Sequence, residues 1–534
     1  MSGLAQSARR WSLALTARES VTGTEGERAF GPWLAGELRA DPAFAEAEIW
    51  THPVAPGDPR HCVLMLLRGN GPRTVILTGH YDTVGVDDYG PLRPLATDPA
   101  ALLPALAASL AEQVAPTPAM LRAQADLASG DFLPGRGLLD MKAGLAAGLA
   151  VCESVRGGEG NILFLAVPDE ENNSAGARAI APVLEALAQA HGLDLVAAVN
   201  LDAIADDGDG SAGRAIALGT VGKLLATAFV VGTPTHGGFP LAGLNAGALA
   251  AALAARLEWA AELTDEADNQ PGMPPSVLSL RDGKAVYDVT TPATAFLSLN
   301  VLSFRRTPGE VLARFDALCA EAAAAHCEAL RARAGRRAPA LPPVPVLRYG
   351  EVEAACLARS PAHGEELRAL GEELDRSALS LPERCRIKTE RAWALSGLSG
   401  PAIVSGFGSI PYLPTNLSQS PHARALSDAA HRLAERHEGR LSLSPYFAGI
   451  SDMSFFGEAD TGDIATVSAN TPLWRESVRW PEANGVAGIP TVNLGPWGRD
   501  YHTPLERLHA PYAFDTLPGL IAELLAELGV EKPA

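Results

Sequence analysis

An α/β architecture is predicted for this chain, with a mostly parallel sheet interrupted by an inserted α+β segment, on two observations. Short apolar runs bounded by turn residues alternate with longer helical patterns. That alternation breaks near residue 214 and returns near Pro401, so one layered domain is expected to be split by an insertion.

The elements follow in order. Cys62 to Arg68 (CVLMLLR), Thr74 to Thr78 (TVILT), Asn161 to Val167 (NILFLAV) and Leu195 to Leu201 (LVAAVNL) read as buried strands. They are continuous in apolar character, as strands covered on both faces must be. Helices are expected over Lys142–Val155 and Ala175–Ala190. Arg214–Gly222 and Ala226–Gly232 read as antiparallel edges, followed by a helix over Ala246–Leu263 and strands over Ser276–Ser279 and Ala295–Ser303. Helical sequence over Pro308–Arg333 runs into a proline-rich connector, which cannot continue a helix. The α/β pattern resumes with a helix over His422–Arg436, a turn at Ser451-Asp452, a strand over Thr491–Leu494 and a terminal helix over Ala513–Leu528. The expected organisation is one layered domain in two parts, 1–213 and 396–534, around an insertion at 214–395.

Composition narrows the function. The 534 residues are 47% hydrophobic and 20% charged, a globular balance. A formal net charge of −19 argues against nucleic acid, whose binders carry basic patches. The six cysteines, Cys62, Cys152, Cys319, Cys327, Cys356 and Cys385, have no structural-zinc spacing. The first twenty residues lack a signal-peptide core, and the apolar Ala246–Leu257 stretch is too short to span a bilayer, so a cytoplasmic protein without a membrane partner is expected.

Chemistry-bearing residues gather where strands end, the usual ligand-binding edge of such a sheet. His80 and Asp82 follow TVILT, and a carboxylate so placed can fix the imidazole's tautomer through its second nitrogen. Asp140 sits in GRGLLDMK at a helix start, where an aspartate is ordinarily an N-cap but can also bridge two cations. Asp169-Glu170-Glu171 follow NILFLAV. Adjacent side chains diverge, so Glu171 can bind a metal while Glu170 accepts a proton from the attacking water. Asp202 ends another strand, and His502 lies in the loop before the last helix. Two imidazoles and three carboxylates suffice for two metal ions sharing Asp140, zinc by preference with cobalt or manganese as substitutes.

These elements, GHYDTV, GRGLLDMK, DEE, Asp202 and HTPLE, together resemble the co-catalytic zinc peptidase and amidohydrolase family of aminoacylases, carnosinase-type dipeptidases, glutamate carboxypeptidases and succinyl-diaminopimelate desuccinylase. The resemblance implies a mostly parallel-sheet zinc-hydrolase catalytic domain interrupted by an inserted α+β lid domain, through which relatives often dimerise. It implies that His80 and Asp202 hold one zinc and Glu171 and His502 the other. Asp140 would bridge, Asp82 would orient His80 and Glu170 would be the general base. From the lid it implies an oxyanion contact by His236 and substrate contacts by Asn245 and Arg305, with Arg306 an equal neighbour. The substrate would be a small amide, an N-acyl amino acid or short peptide. Two other readings share the fold, a small-molecule-binding or regulatory protein and an aminopeptidase. The sequence is longer than ordinary members at Val86–Leu133, from about Arg331 to Gly400, and at Phe455–Val486, additions that would shape either the pocket or an interface. With the wording LPGRGLLDMKAG and ISDMSFF, they look most like the arginine-utilisation protein branch.

Overall fold

The computed structural model describes residues 3–154, 158–267, 270–447, 449–481 and 485–530. Its contacts divide the chain into two compact units: Met1–Thr220, Thr415–Ala459 and Ala483–Ala534 form one, and Val221–Pro414 with Asp460–Glu482 the other.

The first unit is built on an eight-stranded sheet, ordered Glu48–Pro53, His61–Leu67, Asn161–Val167, Arg73–His80, Asp194–Asn200, Thr491–Asn493, Ala215–Ala217, Ser442–Ser444. From Asn161–Val167 to Thr491–Asn493 the pairing is parallel. The two strands at one edge, and the contact of Thr491–Asn493 with Ala215–Ala217, are antiparallel. All seven residues of Asn161–Val167 are buried, because helices close over the sheet. Phe30 and Leu34, Leu145 and Leu149, Leu426 and Leu433, and Leu520 and Leu524, each pair from a different helix, share one core with Val75, Leu77, Phe164 and Val199. The helix Ala143–Ser154 seats closely because it presents Gly144, where a Cβ would lie 1.9 Å from the Leu201 carbonyl oxygen.

A small four-stranded sheet, Phe132–Pro134, Arg507–His509, Trp497–Arg499, Ile204–Ala205, completes the unit. The added segment after Val86 folds as a 3-10 turn, Asp87–Leu95, and two helices, Pro99–Ala111 and Pro118–Ser129. Asp98 and Thr117 cap those helices with side-chain oxygens. Val86, Tyr89, Leu102, Leu106, Leu110 and Leu127 give the segment a small core of its own.

The second unit holds a five-stranded sheet, Ser276–Asp282, Thr294–Ser303, Gly222–Val231, Ala402–Phe407, Val346–Arg348, antiparallel except for its last pair. Alternate side chains of its middle strand serve two cores. Leu224, Ala226, Ala228 and Val230 pack with the helices Ala246–Leu257 and Pro308–Ala334. Phe229 and Val231 pack with Tyr349, Val352, Leu367 and Ala392, from the three helices Tyr349–Arg359, Pro361–Asp375 and Leu381–Ser396. The addition near 331–400 therefore covers one face of this sheet.

Several expectations shift. Arg214–Gly222 does not edge the insertion, since Ala215–Ala217 joins the first unit's sheet. Gly222–Val231 is the middle strand of the second, which its nearly unbroken burial explains. The helix from Ala246 ends at Leu257, because Glu258 turns extended and its carboxylate accepts from the backbone N–H of Val277 at 2.7 Å and the Ser276 hydroxyl at 3.0 Å. The expected boundaries at 213/214 and 395/396 fall at 220/221 and 414/415, because Ala402–Phe407 pairs with Gly222–Val231. The helix expected to reach Val155 is described to Ser154, Val155 itself lying outside the described residues.

Candidate metal centre

Three neighbouring parallel strands deliver most of the site. His80 closes Arg73–His80 and pairs with Val167, so the next turn presents Glu170 and Glu171. Thr78 pairs with Asn200 on the other side, which sets Asp202 just past its strand. Asp140 comes from the turn after Gly137, where φ is 72°. His502 comes from the loop joining Trp497–Arg499 to Arg507–His509.

The side chains meet as two overlapping triads, His80–Asp140–Asp202 and Asp140–Glu171–His502, each with ligand atoms within 4.8 Å of one another. His80 Nε2 lies 3.2 Å from Asp140 Oδ1 and 3.7 Å from Asp202 Oδ1. His502 Nε2 lies 3.2 Å from Asp140 Oδ2 and 3.0 Å from Glu171 Oε2. Each oxygen of Asp140 thus faces a different imidazole. Glu170 belongs to neither triad, and its Oε2 stands 3.9 Å from His80 Nε2.

Electrostatics give this donor set a strong demand for cations. Burial raises the pKa values of Glu170, Glu171 and Asp202. Burial also opposes charge on the imidazoles, yet Asp140 and Asp202 hold His80 well above its ordinary value. Asp140 and Glu171 likewise lift His502 to about 10. For Asp140 burial is outweighed by His502 and His80, which hold it below the usual carboxylate range. Among the described residues Glu171 Oε1 is buried without a hydrogen-bond partner, a cost that coordination would remove. Two imidazoles with several carboxylates fit zinc or a similar borderline cation better than magnesium or calcium.

Asp82 acts mainly through backbone. Its carboxylate accepts from the N–H groups of Glu170 at 3.1 Å and Glu171 at 3.3 Å, and from the Thr22 hydroxyl at 2.8 Å. His80 Nδ1 meets the Asp82 carbonyl at 3.0 Å, against 3.7 Å to the carboxylate. The tautomer is therefore fixed by the peptide oxygen, a correction to the carboxylate expected from alternation, and Nε2 is left to face the triad.

Two further groups were given no role by their motifs. Glu506 of HTPLE is buried, its Oε2 accepting from Arg136 Nη1 at 2.7 Å and its Oε1 from the Gly137 N–H at 2.9 Å. Asp452 of ISDMSFF is buried and lies within the electrostatic reach of His80, Asp82 and Asp202. Burial pushes its pKa up to about 7, tempered by Ser174. Its sequence signal was only that of a turn.

The remaining predicted residues belong to the second unit. His236 is exposed, and its Nδ1 accepts the Gly238 N–H at 3.0 Å, which places the proton of the neutral ring on Nε2. Asn245 caps the helix Ala246–Leu257, with Oδ1 accepting from Gly247 and Ala248. Arg306 is held by the Glu262 carbonyl at 2.9 Å and stands 3.6 Å from Asp265, and Arg305 beside it is exposed.

The profile of Peptidase family M20/M25/M40 matches residues 114–472. The chain is 32% identical to the uncharacterized protein YqjN of Bacillus subtilis (strain 168), over 96% of this chain and 95% of that one. It is 29% identical to the protein RocB of the same organism, over 97% and 94%. Among solved structures, a tripeptidase from Staphylococcus aureus superposes with a TM-score of 0.52 at 15% identity. Aminopeptidase PepT from Bacillus cereus does so with 0.52 at 14%, and each comparison covers 98% of both chains. At those identities the likeness concerns the fold.

Proposed function

Because the chain belongs to peptidase family M20/M25/M40, whose members are metal-dependent hydrolases, we propose that it hydrolyses the amide bond of an N-acyl amino acid or short peptide at a two-metal site. The observation that carries this reading is the pair of triads sharing Asp140, with Glu170 beside them and in neither. His80 and Asp202 would hold one cation, Glu171 and His502 the other, and Asp140 both. When bound there, two zinc ions, or cobalt or manganese in their place, would supply the Lewis acidity that lowers the pKa of the attacking water and polarises the scissile carbonyl. Glu170 takes the proton from that water and returns it to the leaving amine. His236, with its proton on Nε2, donates to the developing oxyanion. Arg305, or its equal neighbour Arg306, receives the substrate carboxylate, and Asn245 has its amide nitrogen to offer because Oδ1 caps a helix. The likeness to RocB supports a place on the arginine-utilisation branch.

The test is metal content per chain together with turnover of an N-acyl amino acid and dipeptide panel. Glu170→Gln is expected to keep both metals and to lower kcat by about 10²- to 10⁴-fold. Turnover by the variant equal to the wild type would remove Glu170 from the reaction. Two bound metals with no turnover of any panel member by the wild type would favour the binding-protein reading.

A homodimer through the second unit completes the reading. Ser276–Asp282 is an edge strand of its sheet and exposes Leu278 (64%) and Leu280 (45%), apolar side chains that a solvent-facing edge ordinarily avoids.

A further inference from the structure

We infer that the segment Val86–Leu133 is a clamp for the loop carrying His502, and that Asp126 is its positioning residue. The loop needs one. His502 and Asp500 both have left-handed backbone, φ 61° and 53°, a conformation that costs free energy and persists only where the surroundings impose it. Within the loop, Thr503 Oγ1 donates to the Asp500 carbonyl at 2.7 Å, a local turn that does not fix the loop against the sheet.

The external restraint comes from two arginines at the base of the loop. Arg499 and Arg507 face each other across the strand pair that the loop joins. Asp126, buried on the helix Pro118–Ser129, binds both. Arg499 Nη1 lies 2.7 Å from each of its oxygens, and Arg507 Nε donates to Oδ2 at 2.7 Å. Arg507 is wholly buried, and its Nη1 donates to Asp500 Oδ2 at 2.6 Å and to the Leu505 carbonyl at 2.9 Å. A chain of charge-assisted bonds therefore runs from Asp126 through Arg507 to Asp500, two residues before His502.

The same segment grips the far side of the loop. Leu505 packs on the core of Val86, Tyr89 and Leu102. Arg136, which holds Glu506 with Nη1, uses Nη2 to bind Asp88 at 2.8 Å, and its backbone N–H bonds the Ala96 carbonyl at 2.8 Å. Asp88, Ala96 and Asp126 all come from the added segment, so the addition braces the approach to Asp140 and both sides of His502. Asp126 touches no reacting group. Its effect passes through Arg507 and Asp500 to the orientation of one imidazole, and should fall on the Glu171–His502 cation rather than on the His80–Asp202 cation.

This inference rests on the two-metal reading, and the experiment separates the two. Apo full-length protein is titrated with zinc by calorimetry, and amide hydrogen exchange is followed across residues 499–507. A His502→Ala control identifies which binding event belongs to that imidazole. Asp126→Asn is expected to weaken that event about 10- to 100-fold, to leave the other within about twofold, and to speed exchange in the loop. Arg499→Lys, which keeps the charge but loses the planar fork, is expected to shift the same event in the same direction by less, and serves if Asp126→Asn does not fold. Unchanged affinity for both ions with unchanged exchange overturns the clamp, as does equal weakening of both events. A wild type that binds fewer than two ions overturns the two-metal reading, while exchange in the loop still decides whether Asp126 holds it.

Discussion

Around the triads, single side chains act on the peptide backbone as much as on one another. Asp82 fixes the Glu170–Glu171 turn by accepting its N–H groups and orients His80 with its own carbonyl, so one residue sets three others. Behind it lies Glu27, with no exposed side-chain surface, whose Oε2 accepts the Gly23 N–H at 2.6 Å. Burial first, and then the Asp82 charge, raise its pKa from 4.5 to about 7. The folded chain keeps a proton that the unfolded chain releases between those values. Its stabilising contribution is fully present below about 4.5 and is lost as the pH rises through about 7. Glu27→Gln, neutral throughout, should raise stability at pH 8 by on the order of 1–3 kcal/mol and flatten the profile over that window, measured by denaturant midpoints across pH. At this scale the residues that meet in the two triads were legible as a group, because each carried a titratable group to a strand end or turn. Glu27 and Asp126 were not, since an acid inside an amphipathic helix reads as a solvated face until its partners, far away in sequence, are known.

Among elements, the fit of the helix Ala143–Ser154 against the strand ends matters most for the site, because it fixes the spacing between Asp140 and Asp202. That fit depends on Gly144. Replacing it by alanine would add about 1 kcal/mol of helix propensity, yet its Cβ would lie 1.9 Å from the Leu201 carbonyl oxygen. Overpacking costs of about 1–3 kcal/mol are common, and here the obstacle is backbone rather than a flexible side chain. Gly144→Ala should therefore lower the denaturant midpoint and weaken metal binding together. A gain in stability would show that the helix can shift without penalty. Buried parallel strands were legible as apolar runs of the right length. The end of the helix at Leu257 was not, because what stops it is a bond donated by the Val277 N–H to the Glu258 carboxylate, a pairing that exists only once the strand Ser276–Asp282 is placed.

For the molecule as a whole, the α/β class and the presence of an insertion could be read from changes in periodicity, but the limits of each unit could not. Ala402–Phe407 has the composition of either sheet, and only its pairing with Gly222–Val231 assigns it. The three added segments were visible as excess length. Their placement is specific: one braces the loops that present Asp140 and His502, one covers a sheet face, and part of the third, 460–482, joins the second unit. Quaternary structure belongs to this scale too. If the proposed homodimer forms, replacing both Leu278 and Leu280 by lysine should convert it to a monomer in light scattering while leaving the circular dichroism of the fold unchanged, since both side chains are exposed within one chain. A wild type that is already monomeric would end the dimer proposal.

The path of the chain also bears on its synthesis. It passes from one unit to the other at 220/221, 414/415, 459/460 and 482/483. A ribosome releasing it from the N-terminus delivers every strand of the second unit while the first still lacks Thr491–Asn493 and the segment bearing His502. The half-built first unit must wait with the edge of Asp194–Asn200 unpaired and with His80, Asp140, Glu171 and Asp202 already translated. A chain truncated anywhere between Asp202 and His502 would thus carry four of the five residues of the two triads and could assemble only the first of them.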